Sequence, residues 1–181
     1  FSGADSAYDV ALGAGNDVIL AGHGMNGGNS DAVLSVKALP GGTAGGPLVH
    51  AKGAQEFVVT ETDVNEQAIG AAFGSGKFLI GWQVVAGTTP ETTQPVAAQF
   101  VTAAGALSGS SIAFNAVSPS GWCGESSPHI GSDGTNFLLV AGCGGSGGNN
   151  YKTQAVVISP SGSFLSAALD LNAGHAVNGG M

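Results

Sequence analysis

One short acidic segment has side chains that could bind a metal ion. In ETDVNE, the oxygen-bearing residues Glu61, Asp63 and Asn65 stand at alternate positions, as at the start of a helix–loop–helix calcium site. Such a site needs a glycine at its sixth position, where this chain has Glu66. Alternate residues also share one face of a strand, so a solvated acidic strand edge is the competing interpretation of this candidate metal site.

A second candidate for calcium binding is GAGNDVILAG, residues 13–22, with Asp17 as the ligand. Secreted β-rolls bind calcium through glycine- and aspartate-rich repeats, and they need tandem copies because successive turns share each ion. The motif occurs once in this chain. We therefore predict a hairpin with a glycine-rich turn, and a calcium-stabilised β-roll remains the alternative.

A candidate ligand-binding patch lies around the glycine-rich segment CGGSGGNN. Trp122 and Tyr151 fall near the same end of one predicted hairpin, together with Glu125, Asn149 and Asn150. Aromatic rings beside amide and carboxylate groups can stack on a sugar and bind its hydroxyls. In the alternative interpretation, Trp122 packs over a disulfide and Tyr151 begins a strand.

The two cysteines flank the same predicted hairpin. Asp133-Gly134 is a typical two-residue hairpin turn, and it lies nearly midway between Cys123 and Cys143. A hairpin centred there places the two sulfurs nearly opposite each other. This predicts a disulfide that contributes about 3 kcal/mol, with two free buried thiols as the alternative.

The residues that could support catalysis form no clear set. Ser146 satisfies G-x-S-x-G within Gly144–Gly148, but a nucleophile elbow needs a strand followed by a helix, and no helix is predicted there. Glycoside hydrolysis needs two facing carboxyl groups, whereas four of the acids lie in or beside predicted turns: Asp17, Asp31, Glu125 and Asp133. The four histidines show no short ligand spacing. We predict a non-catalytic protein without a cofactor, and a carbohydrate-active hydrolase with paired carboxylates is the alternative.

The composition restricts the partners and the location. The 181 residues include four lysines, no arginine and 12 acids, for a net charge of −8, which disfavours nucleic acid because binding there neutralises phosphates. No apolar run is long enough to insert in a membrane. Low charge and two cysteines predict an extracellular or cell-surface protein, and the first residue, Phe1, is expected of a processed product.

A segment of about 60 residues recurs three times in the chain, and each copy has glycine- or aspartate-containing turns between short apolar runs. Thr93-Gln94 and Thr153-Gln154 begin equivalent strands 60 residues apart. Each copy predicts two hairpins, and therefore four antiparallel strands. The chain is predicted to be one all-β repeat domain that comprises repeat one (about 8–50), a connecting segment (51–66) that could add a strand, repeat two (about 67–115) and repeat three (about 123–172).

The third repeat, SPHIGSDGTNFLLVAG followed by TQAVVISPSGSFL, resembles the blade repeat of secreted bacterial β-propellers. The second repeat keeps part of the pattern in AAFGSGKFLIGW. The resemblance implies three blade-like sheets, and because propellers typically close with four to eight blades, it implies an incomplete ring. We therefore expect completion by another β-rich chain or a second copy, in an extracellular binding or assembly module for which a glycan is a candidate ligand.

Overall fold

A computed structural model of the chain describes residues 6–13, 17–26, 29–38, 55–58, 65–85, 96–114, 128–143 and 152–171. These residues form twelve strands in three sheets, each with four antiparallel strands in chain order. The all-β prediction of three four-stranded antiparallel units is confirmed. Within these ranges no helix is long and apolar enough to cross a membrane.

The strands of each sheet follow one another as a meander. The first sheet contains β1 (Ser6–Leu12), β2 (Asp17–Asn26), β3 (Asn29–Ala38) and β4 (Gln55–Val58). The second contains β5 (Asn65–Gly74), β6 (Lys77–Val85), β7 (Val96–Thr102) and β8 (Leu107–Ala113). The third contains β9 (His129–Ser132), β10 (Phe137–Cys143), β11 (Lys152–Ile158) and β12 (Leu169–Asp170).

The hairpin between β5 and β6 shows why the glycine-rich turns form. Phe73 pairs with Phe78 and Gly74 pairs with Lys77, which leaves Ser75 and Gly76 as a two-residue loop. Their φ angles are 49° and 74°. Two successive left-handed residues give the tight turn whose twist matches that of the flanking strands.

The turn between β9 and β10 lies one residue later than predicted. Ser132 pairs with Phe137, and the Asp133 amide donates to the Asn136 carbonyl at 3.3 Å, so Gly134 and Thr135 form the tip. The Asp133 side chain accepts hydrogen bonds from the amides of Thr135 and Asn136. Asp133 therefore caps the turn from its first position, which corrects the prediction of a turn centred on Asp133-Gly134.

The first sheet and the predicted first repeat differ in their fourth strand. β4, Gln55–Val58, pairs with β3 through Leu34 opposite Phe57, and it lies inside the segment 51–66 that was predicted to connect two repeats. The end of predicted repeat one, residues 39–50, lies outside the described residues. The prediction that the connecting segment could add a strand agrees with β4.

The three sheets stack face to face, with the second sheet in the middle. One face of the second sheet packs against the third in a cluster that includes Leu79, Phe100 and Phe137. Its other face packs against the first sheet in a cluster that includes Ile80 and Ala21. The middle sheet is therefore buried on both faces, which explains the unbroken apolar run in β6. Trp82, at the end of this run, is 3% exposed.

The closest approach between sheets is made by their first strands. β5 contacts β1 on one side and β9 on the other. A Cβ atom on Gly70 of β5 would lie 2.5 Å from the Pro128 carbonyl oxygen and 3.2 Å from the Ile130 amide nitrogen. Because both of those atoms belong to the backbone and cannot rotate away, this separation of β5 and β9 requires glycine at position 70.

Candidate functional site

Most of the predicted site residues lie outside the part of the chain that the structure describes. Every member of the predicted sugar-binding patch lies outside the described residues: Trp122, Glu125, Asn149, Asn150 and Tyr151. Glu61 and Asp63 also lie outside them, and Asn65 is the first residue of β5. Across the ranges that the structure describes, no group of three or more His, Cys, Asp or Glu residues could hold a metal ion.

The predicted disulfide remains a prediction. Cys143 is the last residue of β10, and Cys123 lies outside the described residues. The two sulfurs were predicted to lie opposite each other because the turn was assigned to Asp133-Gly134. The described pairing of β9 with β10 ends at Val140 opposite His129, so it does not test whether the two sulfurs meet.

The acids whose side chains the structure describes are Asp9, Asp133 and Asp170, and each is held by structural hydrogen bonds. Asp9 joins two sheets: its Oδ2 accepts from the Ala71 amide at 2.8 Å and its Oδ1 from the Val10 amide at 2.8 Å. The three carboxylates lie in different places and do not form a facing pair, which glycoside hydrolysis would require.

The other two carboxylates are stabilised in their charged form. Hydrogen bonds from the backbone amides of Asn136 and Thr135 lower the pKa of Asp133. Hydrogen bonds from the side chains of Lys152 and Gln154 lower the pKa of Asp170, and the Lys152 Nζ lies 2.6 Å from the Asp170 Oδ2. A general acid needs a carboxyl group that stays protonated near neutral pH, so neither residue has the required pKa.

We call the interface between two packed sheets a joint. The joint between the second and third sheets shows how a sheet face is covered in this molecule. Phe100 and Phe137 meet edge to face, with ring centroids 5.2 Å apart. The Lys77 Nζ lies 4.8 Å from the centre of the Phe100 ring and donates to the Pro160 carbonyl at 2.7 Å. At the turns, the Ser75 amide donates to the Gly134 carbonyl at 2.9 Å. The joint thus has an apolar centre closed by polar contacts.

The opposite side of the third sheet carries apolar side chains, some exposed (Leu138, Leu165 and Leu169) and some half-buried (Val140 and Val157). Leu138 is 43% exposed, whereas its neighbours Phe137 and Leu139 are 0% and 1% exposed. Leu138 pairs with Val157, and the Leu165 amide bonds to the Val157 carbonyl. We call this surface the open face of the third sheet; it comprises Leu138, Val140, Val157, Leu165 and Leu169.

The first sheet has a matching feature on its innermost strand. Val10 and Leu12 of β1 are 55% and 69% exposed, while Ala11 between them is 6% exposed and packs towards the second sheet. Side chains alternate along a strand, so Val10 and Leu12 lie on the side away from the second sheet. We call that side the open face of the first sheet.

A solved structure places this arrangement of sheets among known folds. The crystal structure of an endo-arabinase from Bacteroides thetaiotaomicron VPI-5482 matches with a TM-score of 0.54 and 16% sequence identity. The three sheets resemble propeller blades. At this identity the likeness concerns the fold alone. The match covers 90% of this chain and 58% of that larger propeller chain, so the present sequence spans little more than half of its length.

The sequence comparisons add no family. No protein-family model matches the chain, and the search of curated proteins gave no match. The resemblance to propeller blades therefore rests on the arrangement of the strands and on the solved endo-arabinase structure.

Sequence reasoning predicted an incomplete ring, which leaves a blade face exposed, but it did not identify the residues of the open faces. The signal was present in FLLVAGC, which is apolar on both sides of β10. Such a run is typical of a strand covered on both faces, so finding it in a sheet with one covered face would have pointed to a missing neighbour.

Proposed function

We propose that the chain is a non-catalytic extracellular assembly or binding module, built from three propeller-like sheets and completed by β-sheets of another chain. One observation carries the proposal: β6 and β10 each contain a continuous apolar run (Phe78–Trp82 and Phe137–Cys143), but among the described residues only the run in β6 is covered on both faces. An apolar row left open on a packed sheet is typical of a protein–protein contact surface. Low charge supports a location outside the cell.

The shape of the fold supports completion of a ring. Propellers typically close with four to eight blades, whereas the described residues form three sheets. The endo-arabinase chain is longer, since the match covers 58% of it. Three sheets account for only part of such a ring, and further blades would pack on the two open faces.

Association through the open face can be measured with two lysine variants. We expect light scattering of the purified chain to give particles heavier than the 17.5 kDa of one chain. Leu138→Lys should shift the mass towards one chain, because a charge on the open face opposes its burial. The control is Leu107→Lys: this leucine is 52% exposed but belongs to the middle sheet, and the change should leave the mass unaltered. A wild-type chain that stays single at all concentrations would contradict the proposal.

The non-catalytic part of the proposal has a separate test. We expect incubation with arabinan, the polysaccharide that an endo-arabinase cleaves, to release no reducing ends above the buffer control. The described carboxylates support this expectation because all three are bound within the protein. Release of oligosaccharides by the wild-type chain would refute the non-catalytic role and leave the association result standing.

A further inference from the structure

We propose that residues 165–171 form a strap that detaches as one unit from the outer edge of β11, the side away from β10, and that its release makes this edge available to an extended β-strand. The inference goes beyond the proposed function, because it concerns an edge of the third sheet, whereas the proposed association uses the open faces. The strap contains β12, Leu169–Asp170. It begins after Phe164, which packs against the apolar cluster between the second and third sheets.

The two edges of β11 are paired very differently. On the inner side, every residue of β11 pairs with a residue of β10 in unbroken register. On the outer side, the ladder with β12 contains two pairs, Gln154 with Asp170 and Ala155 with Leu169. A strand in a stable sheet usually has more than two residues. The strap is therefore attached to the sheet by a much shorter ladder than the one that holds β11.

Single hydrogen bonds extend the contact beyond the ladder. The Leu171 amide donates to the Thr153 carbonyl at 2.8 Å, and the Leu165 amide donates to the Val157 carbonyl at 2.8 Å. The Val157 amide donates to the Ser166 Oγ at 3.3 Å. The three strap residues in these bonds are exposed. Water can replace such bonds when the strap leaves, so each adds little net stability.

The leucines of the strap contribute little buried surface. Leu165, Leu169 and Leu171 are 57%, 63% and 52% exposed, whereas Val156 and Ile158 of β11 are 1% and 0% exposed. Burial of apolar surface is the main favourable term in folding, and ordering each residue of a segment costs conformational entropy. A segment with few buried apolar side chains and exposed hydrogen bonds opens locally before the sheet below it does.

Asp170 fastens the far end of the strap through its side chain. Its Oδ1 accepts a hydrogen bond from the Gln154 Nε2 at 2.7 Å, and its Oδ2 lies 2.6 Å from the Lys152 Nζ. The Lys152 side chain is 47% exposed, and exposed ion pairs contribute little to stability. Removal of this carboxylate should therefore loosen the strap without disturbing the buried side of the sheet.

The edge below the strap has the properties of a strand-binding site. The β11 segment 155–158 is uncharged and apolar, and its register with β10 is regular. The outer strand of the second sheet is different, because the pairing of β8 shifts register between Ala98 and Phe100 and Gly109 has a φ of 77°. A regular uncovered edge pairs with an extended strand through backbone hydrogen bonds. The fitting partner is an extended, mainly apolar strand that replaces the strap.

Hydrogen exchange of single amides tests the opening. The Val157 amide bonds to the strap, whereas the Val156 amide points towards β10, because backbone groups alternate along a strand. We expect the Val157 and Leu171 amides to exchange about tenfold faster than the Val156 amide, since only the first two are released by local opening. Asp170→Ala should accelerate the first two by about tenfold more and leave Val156 unchanged.

Asp133→Ala is the matched control for this measurement. It removes another carboxylate of the third sheet, one that accepts from the Thr135 and Asn136 amides, and it should leave the exchange of Val157 unchanged. If Val156 and Val157 instead exchange at equal rates, and Asp170→Ala accelerates both equally, the sheet opens as a whole and the strap proposal is overturned.

A labelled peptide tests whether the uncovered edge accepts a strand. Leu171 donates its amide to β11, and Leu169, two residues earlier, presents its amide to the same side opposite Ala155. Leu169→Pro removes that donor and should open the strap. A fluorescent peptide of residues 163–171 should bind the Leu169→Pro and Asp170→Ala chains about tenfold more tightly than the wild type, in which the edge is mostly occupied.

The same peptide with proline in place of its Leu169 residue is the control and should not bind. Both chain variants should keep the circular dichroism spectrum of the wild type, because the substituted positions lie on the strap. Absence of peptide binding to both opened chains would overturn the edge as a strand-binding site. Equal binding to the wild type and both variants would place the peptide elsewhere and also overturn it. Association through the open faces is measured by particle mass and is unaffected by either result.

Discussion

The second and third sheets contain nearly the same strand in two different surroundings. In β6, the consecutive residues Phe78, Leu79 and Ile80 are all 0% exposed. In β10, exposure alternates: Phe137 and Leu139 are buried, and Leu138 between them is 43% exposed. Both strands contain a continuous apolar run, Phe78–Trp82 in β6 and Phe137–Cys143 in β10, so the difference comes from what lies over each face. β10 therefore has the composition of a strand in a sheet that is covered on both faces. Among the described residues, a neighbouring sheet covers only one of its faces.

The comparison also separates two kinds of leucine within one strand. Leu139 packs in the cluster shared by the second and third sheets, so Leu139→Ala should lower the free energy of unfolding by about 2–5 kcal/mol. For Leu138→Ala in the dissociated chain, we expect a change within about 0.5 kcal/mol, as for most exposed positions. Urea denaturation at low protein concentration measures both. Equal losses would mean that β10 is covered on both sides within a single chain.

The next largest effect concerns the close approach between the second and third sheets. Gly70→Ala would direct a Cβ into the Pro128 carbonyl oxygen, and we expect a loss of about 1–3 kcal/mol from the forced separation of β5 and β9. Gly131→Ala is the matched control, because nothing lies within 4 Å of a Cβ at that position. Thermal denaturation of both variants tests the expectation. A Gly70→Ala protein as stable as wild type would show that the joint can open at little cost.

The smallest expected effect is a loss of order in the third sheet at acid pH. The pKa of Asp133 lies below its ordinary value of 3.8 in the folded chain, so its contribution to stability is present above that value. It is lost as the pH falls through the lower, folded pKa. Hydrogen exchange should show that the Thr135 and Asn136 amides lose protection in this range, because protonated Asp133 accepts their hydrogen bonds poorly.

Asp133→Asn provides the control for the pH measurement. The substitution removes the charge at all pH values. In the variant, the Thr135 and Asn136 amides should therefore be less protected from hydrogen exchange at neutral pH. Their protection should also change less on acidification than it does in the wild type. The buried part of β6, residues 78–83, has no carboxylate and should keep its protection. Loss of protection in β6 at the same pH would indicate that the whole chain unfolds together.

Much of the fold could be predicted from local chemistry. The pair Ser75 and Gly76 forms a tight turn because glycine and a small polar residue tolerate left-handed angles, and the flanking apolar runs become β5 and β6. The turn at Asp133 was predicted one residue too early because its side chain caps the loop and shifts the tip to Gly134-Thr135. The fourth strands were harder to predict: β12 has two residues, and β4 lies in the predicted connection.

The candidate site was not predictable in the same way. Sequence reasoning sought it among oxygen-rich and aromatic residues such as Glu61, Asp63, Trp122 and Tyr151, which lie outside the described residues. The open faces consist of leucines and valines, which look like core residues in a sequence. Their exposure follows from the position of a sheet in the stack, and that position depends on contacts between segments far apart in the chain.

The sequence by itself determined that this protein is built from short antiparallel strands joined by glycine-containing turns, because turn angles and alternation along a strand are local properties. Only the tertiary structure decided that the second sheet lies between the other two, and that Leu138 faces outward while Leu79 is enclosed. A strand always has two faces, but its own residues do not specify what will cover them. That is set by the neighbouring sheets, and here it leaves Leu138 of the third sheet and Val10 and Leu12 of the first sheet exposed.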